Sequence, residues 1–109
     1  MSRRALIGCT PEFIGEKMRI LGWVCSKRRH GEIIFVDVRD RSGIIQTIIT
    51  PDNKKACAAV EKINEGCVIN VIGKIKECPR IFLDGFLDGI EIEAEFMEII
   101  STSKMRATV

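Results

Sequence analysis

The chain holds a single histidine, and none of its five cysteines (Cys9, Cys25, Cys57, Cys67 and Cys78) stands in a Cys-x-x-Cys pair. A structural zinc site needs paired ligands at short spacing, and a disulfide framework is built from an even set, so the sequence points to neither. Odd, scattered thiols fit a reduced, cytoplasmic protein in which several cysteines serve as small buried hydrophobes. No apolar run approaches the roughly 20 residues that span a bilayer, so no membrane is expected. The start, Met1-Ser2-Arg3-Arg4-Ala5-Leu6-Ile7, lacks the long apolar segment and small-residue cleavage site of a signal peptide. A nucleophile elbow, a phosphate-cradling glycine loop and paired histidine ligands are all missing, so no catalysis is expected of this chain alone. A net charge of +2 is too small to mark a nucleic-acid protein. Any such role must come from where the charges sit.

What is present is a folded domain of 109 residues with 46% hydrophobic content. The segment Lys17 to about Lys27 alternates as a strand, and its interior Gly22 predicts a bulge or sharp bend. Arg28 to Gly31 follows as a basic loop. Glu32–Arg39 and Ile44–Thr50 form a hairpin around Asp40-Arg41-Ser42-Gly43. Asn53 offers a helix cap, and Ala56, Ala59, Val60 and Ile63 make one face of a helix of about three turns, ended by Asn64-Glu65-Gly66. Cys67–Lys76 is β-rich, Glu77 to Gly89 is a long loop, and Ile90–Ile100 is the last strand. In that strand Ile90, Ile92, Ala94 and Phe96 form an apolar face, and Glu91, Glu93 and Glu95 an acidic one.

Three strands, a helix and two strands is the order of the OB-fold, an all-β, five-stranded Greek-key barrel with one helix between strands 3 and 4. The domain spans residues 1–101, and residues 102–109 are the start of a linker. Ligands of this fold lie across strands 2 and 3 and the loops between strands 1–2 and 4–5.

Phe35 shares a face with Asp37 and Arg39, opposite to Ile34, Val36 and Val38. Two readings stand for it: an apolar cover for the sheet, or a plate on which an unpaired base stacks. Lys27, Arg28 and Arg29 border the same face and suit phosphates, with no indication of which one turns inward. Gln46 carries a donor and an acceptor and can read a base edge. Its neighbours Ile44 and Ile48 leave the orientation of its strand open. Most of the glutamates fit solubility and edge protection, although one carboxylate can accept from the amino group of guanine or cytosine. Asp37 reads as a salt link to Arg39 or to a cross-strand cation, and Asp40 as a turn residue. Phe82-Leu83-Asp84-Gly85 repeats at once as Phe86-Leu87-Asp88-Gly89, an apolar stretch that folds back on the barrel or meets a partner.

Taken together, Gly22-Trp23-Val24, Arg28-Arg29-His30-Gly31, Ile34-Phe35-Val36-Asp37, Arg39-Asp40-Arg41-Ser42-Gly43 and Ile44-Ile45-Gln46 resemble the N-terminal anticodon-binding domain of bacterial aspartyl-tRNA synthetases. Val71-Ile72-Gly73-Lys74 and Ile90-Glu91-Ile92 extend the resemblance over roughly Ile7 to Ser101. It implies that Phe35 stacks on an anticodon base and that Gln46 reads the middle uridine. It also implies that Arg28 and Glu91 help to read the first anticodon base. The family's class II enzymes are homodimers whose separate catalytic domain uses ATP and magnesium. Such a domain is missing here, so either a fragment of a longer ligase or a free-standing homologue is expected, the patternless end favouring the fragment, with tRNA as partner and no cofactor of its own. The entry to the last strand is shorter than in the family, which makes Glu91, rather than Glu93, the weakest of these correspondences. The alternatives are a general single-strand-binding OB module and a protein-interaction barrel that uses the Phe82–Leu87 stretch.

Overall fold

Branched apolar residues at every second position favour strands that bury one face, and five such strands form the molecule. The computed structural model describes residues 3–77 and 86–102. A short 3-10 helix, Ile7–Phe13, precedes β1 (Lys17–His30), β2 (Ile33–Asp40), β3 (Gly43–Ile49), α1 (Lys54–Val60), β4 (Val68–Glu77) and β5 (Phe86–Ser101). The strands close into a barrel in the order β1-β2-β3-β5-β4. β3 and β5 pair in parallel, and the other neighbours pair antiparallel. Ile20, Val36, Val38, Ile45, Ile69, Val71 and Ile92 fill the interior, and Ala56, Val60 and Ile63 join the same core from α1 and its end. The expected architecture is therefore present, with the helix between the third and fourth strands.

Several boundaries differ from the sequence reading. β1 runs on to His30, so Arg28 to His30 belong to a strand; the two-residue turn Gly31-Glu32 lets His30 pair directly with Ile33. α1 has seven residues and no side-chain cap. The amide of Asn53 turns back to Thr50 Oγ1 at 3.4 Å instead. β5 begins at Phe86, earlier than expected. Residues 78–85, with Cys78 and the first Phe-Leu-Asp-Gly copy, and 103–109, where the sequence predicts a linker, lie outside the described residues.

Two irregularities turn side chains over. On β5 the register slips where Ile72 faces Phe96 but Gly73 faces Ala94, which leaves Glu95 as an extra residue. A one-residue bulge reverses the faces beyond it. Phe96, expected inside, is thereby exposed, and Met97 is buried in its place. The bulge in β1 falls between Val24 and Ser26 rather than at Gly22. Gly22 serves a close approach: a Cβ there would lie 2.4 Å from the Arg39 carbonyl oxygen. Gly73 is tighter still, since a Cβ would lie 2.1 Å from the Glu93 carbonyl oxygen. Relieving that clash requires β4 and β5 to separate at their bulge. We expect Gly73→Ala to cost about 2–3 kcal/mol by overpacking, measured as a lowered midpoint in urea with an unchanged slope. A midpoint equal to wild type would show that the strands part freely there.

Candidate nucleic-acid interface

The bulge at Cys25 decides which cations meet Phe35. Up to that point Met18, Ile20 and Val24 point into the barrel. Strict alternation would then send Ser26 and Arg28 inward and Lys27 and Arg29 outward. Cys25 is skipped in the pairing, so Ser26 lies opposite Asp37, Arg28 opposite Phe35, and Lys27 opposite the interior Val36. Arg28 thus emerges on the outer face.

Cross-strand register then builds two rows on that face. Ser26 faces Asp37, Asp37 faces Gln46, Gln46 faces Glu91, and Glu91 faces Lys76. Alongside, Arg28 faces Phe35, Phe35 faces Ile48, and Ile48 faces Glu93. The open question of orientation in β3 is answered by register: Ile45 and Thr47 lie opposite the interior Val38 and Val36, and Gln46 lies opposite Asp37, on the outer face with Phe35.

The first row is polar yet sunken, with Asp37 at 5% exposure, Gln46 at 1% and Glu91 at 8%. Asp37 takes the Arg28 guanidinium at 3.0 and 3.2 Å and accepts from Ser26 Oγ. The same Arg28 Nη2 donates to Gln46 Oε1 at 3.4 Å. Its guanidinium carbon sits 5.6 Å from the centre of the Phe35 ring, within cation–π range. Gln46 Nε2 and Glu91 Oε2, neighbours across β3 and β5, are buried without a hydrogen-bond partner. Leaving such groups unpaired costs about 1–3 kcal/mol each. One is a donor and the other an acceptor, on paired residues of adjacent strands.

The remaining sequence candidates separate. Lys27 turns to the helix, where Nζ donates to the carbonyls of Val60 at 2.8 Å and Ile63 at 3.1 Å. A cation there satisfies the carbonyls at the end of α1 and opposes its dipole. Arg29 pairs with Glu61 at 3.0 Å on exposed surface. Arg29 still lines, with Arg28, His30 and Phe35, a hollow of about 360 Å³ at the edge of the rows. Among the acidic residues, Glu93 is paired with Lys76 at 3.1 Å and Glu95 with Lys17 at 2.8 Å, whereas Glu91 reaches the floor beside Gln46.

Asp37 is the residue whose part sequence reasoning understated. A cross-strand cation was one of its two expected partners, and that cation is Arg28 rather than Arg39. The signal was available in the alternation that sets Asp37 on the face of Phe35. Among the described residues no group of three or more His, Cys, Asp or Glu side chains could hold a metal ion, and no helix is long and apolar enough to cross a membrane.

A closed barrel of this strand order, with an arginine, an aromatic and an amide brought together on its first, second and third strands, is an OB-fold. The match to a family model over residues 18–100 makes this chain a member of the tRNA anticodon family of OB-fold nucleic acid binding domains. It is 38% identical over 97 residues to the aspartate–tRNA ligase of Lactococcus lactis, covering 87% of this chain and 16% of that protein. It is 38% identical over 108 residues to the aspartate–tRNA ligase of Geobacillus kaustophilus, covering 95% of this chain and 18% of that protein. The asparaginyl-tRNA synthetase of Pyrococcus horikoshii superposes with a TM-score of 0.75 at 27% identity, over 96% of this chain and 24% of that one. The chain therefore spans about a sixth of the length of the curated relatives it matches.

Proposed function

We propose that this barrel is the anticodon-binding module of an aspartate–tRNA ligase and holds the anticodon loop of aspartate tRNA. The observation that carries the reading is the unpaired Gln46 Nε2 beside the unpaired Glu91 Oε2, next to Phe35 and Arg28. A base stacked on Phe35 gains π contact, and its edge supplies the partners that the floor lacks. Arg28 adds a charge for phosphate or a stacking plane. The module is non-catalytic by itself. ATP, magnesium and homodimer formation belong to the catalytic part of the ligase, which works in the cytoplasm. Lys27, tied to the end of α1, supports the site from behind, and Arg29 contributes at its rim.

The test is a titration with an RNA stem-loop carrying the aspartate anticodon. Phe35→Ala is expected to weaken binding about 10–100-fold, the value of one stacked base. Wild-type protein should prefer this loop to one with the middle uridine replaced. Equal binding of the two loops by wild type would sink the reading and favour a general single-strand module, whose affinity follows salt and little else.

A further inference from the structure

The geometry points to Asp37 as a positioning residue that fixes which way the Gln46 amide faces, and so makes the site choose a base with a carbonyl over one with an amino group. This rests on the anticodon reading above.

The amide of glutamine is nearly symmetric in shape, and its two ends offer opposite chemistry. A free side chain could turn either end to a base and would accept uridine and cytidine almost alike. At that edge uridine carries O4, an acceptor, and cytidine N4–H₂, a donor. Here one end is already committed. The guanidinium of Arg28 has donors only, so the Gln46 atom that it meets is the carbonyl oxygen, at 3.4 Å. Nε2 is left as the end that can meet a base, and it is the atom without a partner. It pairs with a carbonyl and opposes an amino group.

Arg28 alone would not hold that arrangement. Its side chain is half exposed and mounted on a flexible stem. What holds it is the buried carboxylate of Asp37, which grips Nη2 through both oxygens and is itself fixed by Ser26 Oγ. The chain of control runs from Ser26 to Asp37, to Arg28, to Gln46; Ser26, Asp37 and Gln46 are paired across three strands, and Arg28 reaches the last two from its place opposite Phe35.

The experiment measures dissociation constants of the chain for two RNA stem-loops that differ only in uridine or cytidine at the middle anticodon position. Asp37→Asn keeps the volume and removes the charge that anchors Arg28. It should lower the uridine-to-cytidine preference about tenfold, most of it through tighter binding of the cytidine loop. In a Gln46→Ala background the same substitution should leave the ratio unchanged, because the residue acts through the amide. Arg28→Met provides a second route to the same loss of preference should Asp37→Asn not fold. Equal weakening of both loops by Asp37→Asn or Arg28→Met, with the ratio preserved, would overturn the inference and leave the anticodon reading intact. Lack of preference in wild type would remove the reading and this inference together.

Discussion

Asp40→Ala is expected to destabilise the barrel by about 3–5 kcal/mol, the sum of a lost hydrogen-bond cluster and the buried groups it leaves behind. The carboxylate is almost wholly buried. Its Oδ2 accepts the backbone N–H of Ile7 at 2.8 Å, and Oδ1 accepts the N–H of Ser42 at 2.7 Å together with the Ser42 hydroxyl. One side chain therefore closes the β2–β3 turn and pins the 3-10 helix across that end of the barrel. Alanine leaves the amide of Ile7, itself in the core, without a partner. For a domain of this size the melting temperature should fall by roughly 15–20 °C. Ser42→Ala is the comparison. It removes the hydroxyl that accepts from the Gly8 N–H at 2.7 Å but spares the Ile7 contact, so its effect should be smaller. A fall for Ser42→Ala as large as that for Asp40→Ala would show that the bonds Asp40 makes to Ile7 and to the Ser42 amide add little.

The second large effect is on binding. Gln46→Glu keeps the shape of the side chain and exchanges its donor end for an acceptor. At the floor of the face, between Asp37 and Glu91, the new carboxylate turns an oxygen toward the carbonyl edge of uridine. Like-charge and like-acceptor contacts in such a site cost several kcal/mol, so affinity for the uridine loop should drop by about 100-fold or more. A carboxylate accepts from the amino group of cytosine. The variant should therefore bind the cytidine loop better than the uridine loop, reversing the order of wild type. Gel-shift titration of both loops reads this directly. An unchanged order, with both affinities lowered, would mean that Gln46 touches the RNA without reading it.

The strand order and the place of the helix were legible because they rest on period-two and period-3.6 patterns of whole segments: Ile34, Val36 and Val38 on β2, and Ala56, Val60 and Ile63 on α1 and its end. Phe35 was legible because an aromatic in step with Asp37 and Arg39 breaks the expected core pattern. Gln46 was not settled, since isoleucines occupy both faces of β3 and alternation cannot rank them. The bulges at Cys25 and Glu95 left no trace in the sequence. A bulge depends on how the partner strand is counted off, and any residue can occupy it. The extension of β1 through three basic residues was hidden for a different reason. Their charges resemble those of a solvated loop, while their backbones are held by pairing with Ile33, Ile34 and Phe35. Glu91 could be separated from Glu93 and Glu95 only through their partners in space, Lys76 and Lys17.

The skipped residue in β1 also bears on how relatives are aligned. From Ser26 to His30 the face on which a side chain emerges follows from the β2 residue it pairs with, and not from a count of residues since Val24. A relative that lacks this one residue, and the bulge with it, would carry the same Lys-Arg-Arg string in the same pairing, with its first arginine still across from the aromatic. Its arginine at the column of Arg28 is the right one to compare when the gap is set at Cys25. Equivalence between such proteins is set by which residue sits across from the aromatic, and a column match that moves a gap past Cys25 exchanges the arginine beside Phe35 for the lysine held at the end of α1.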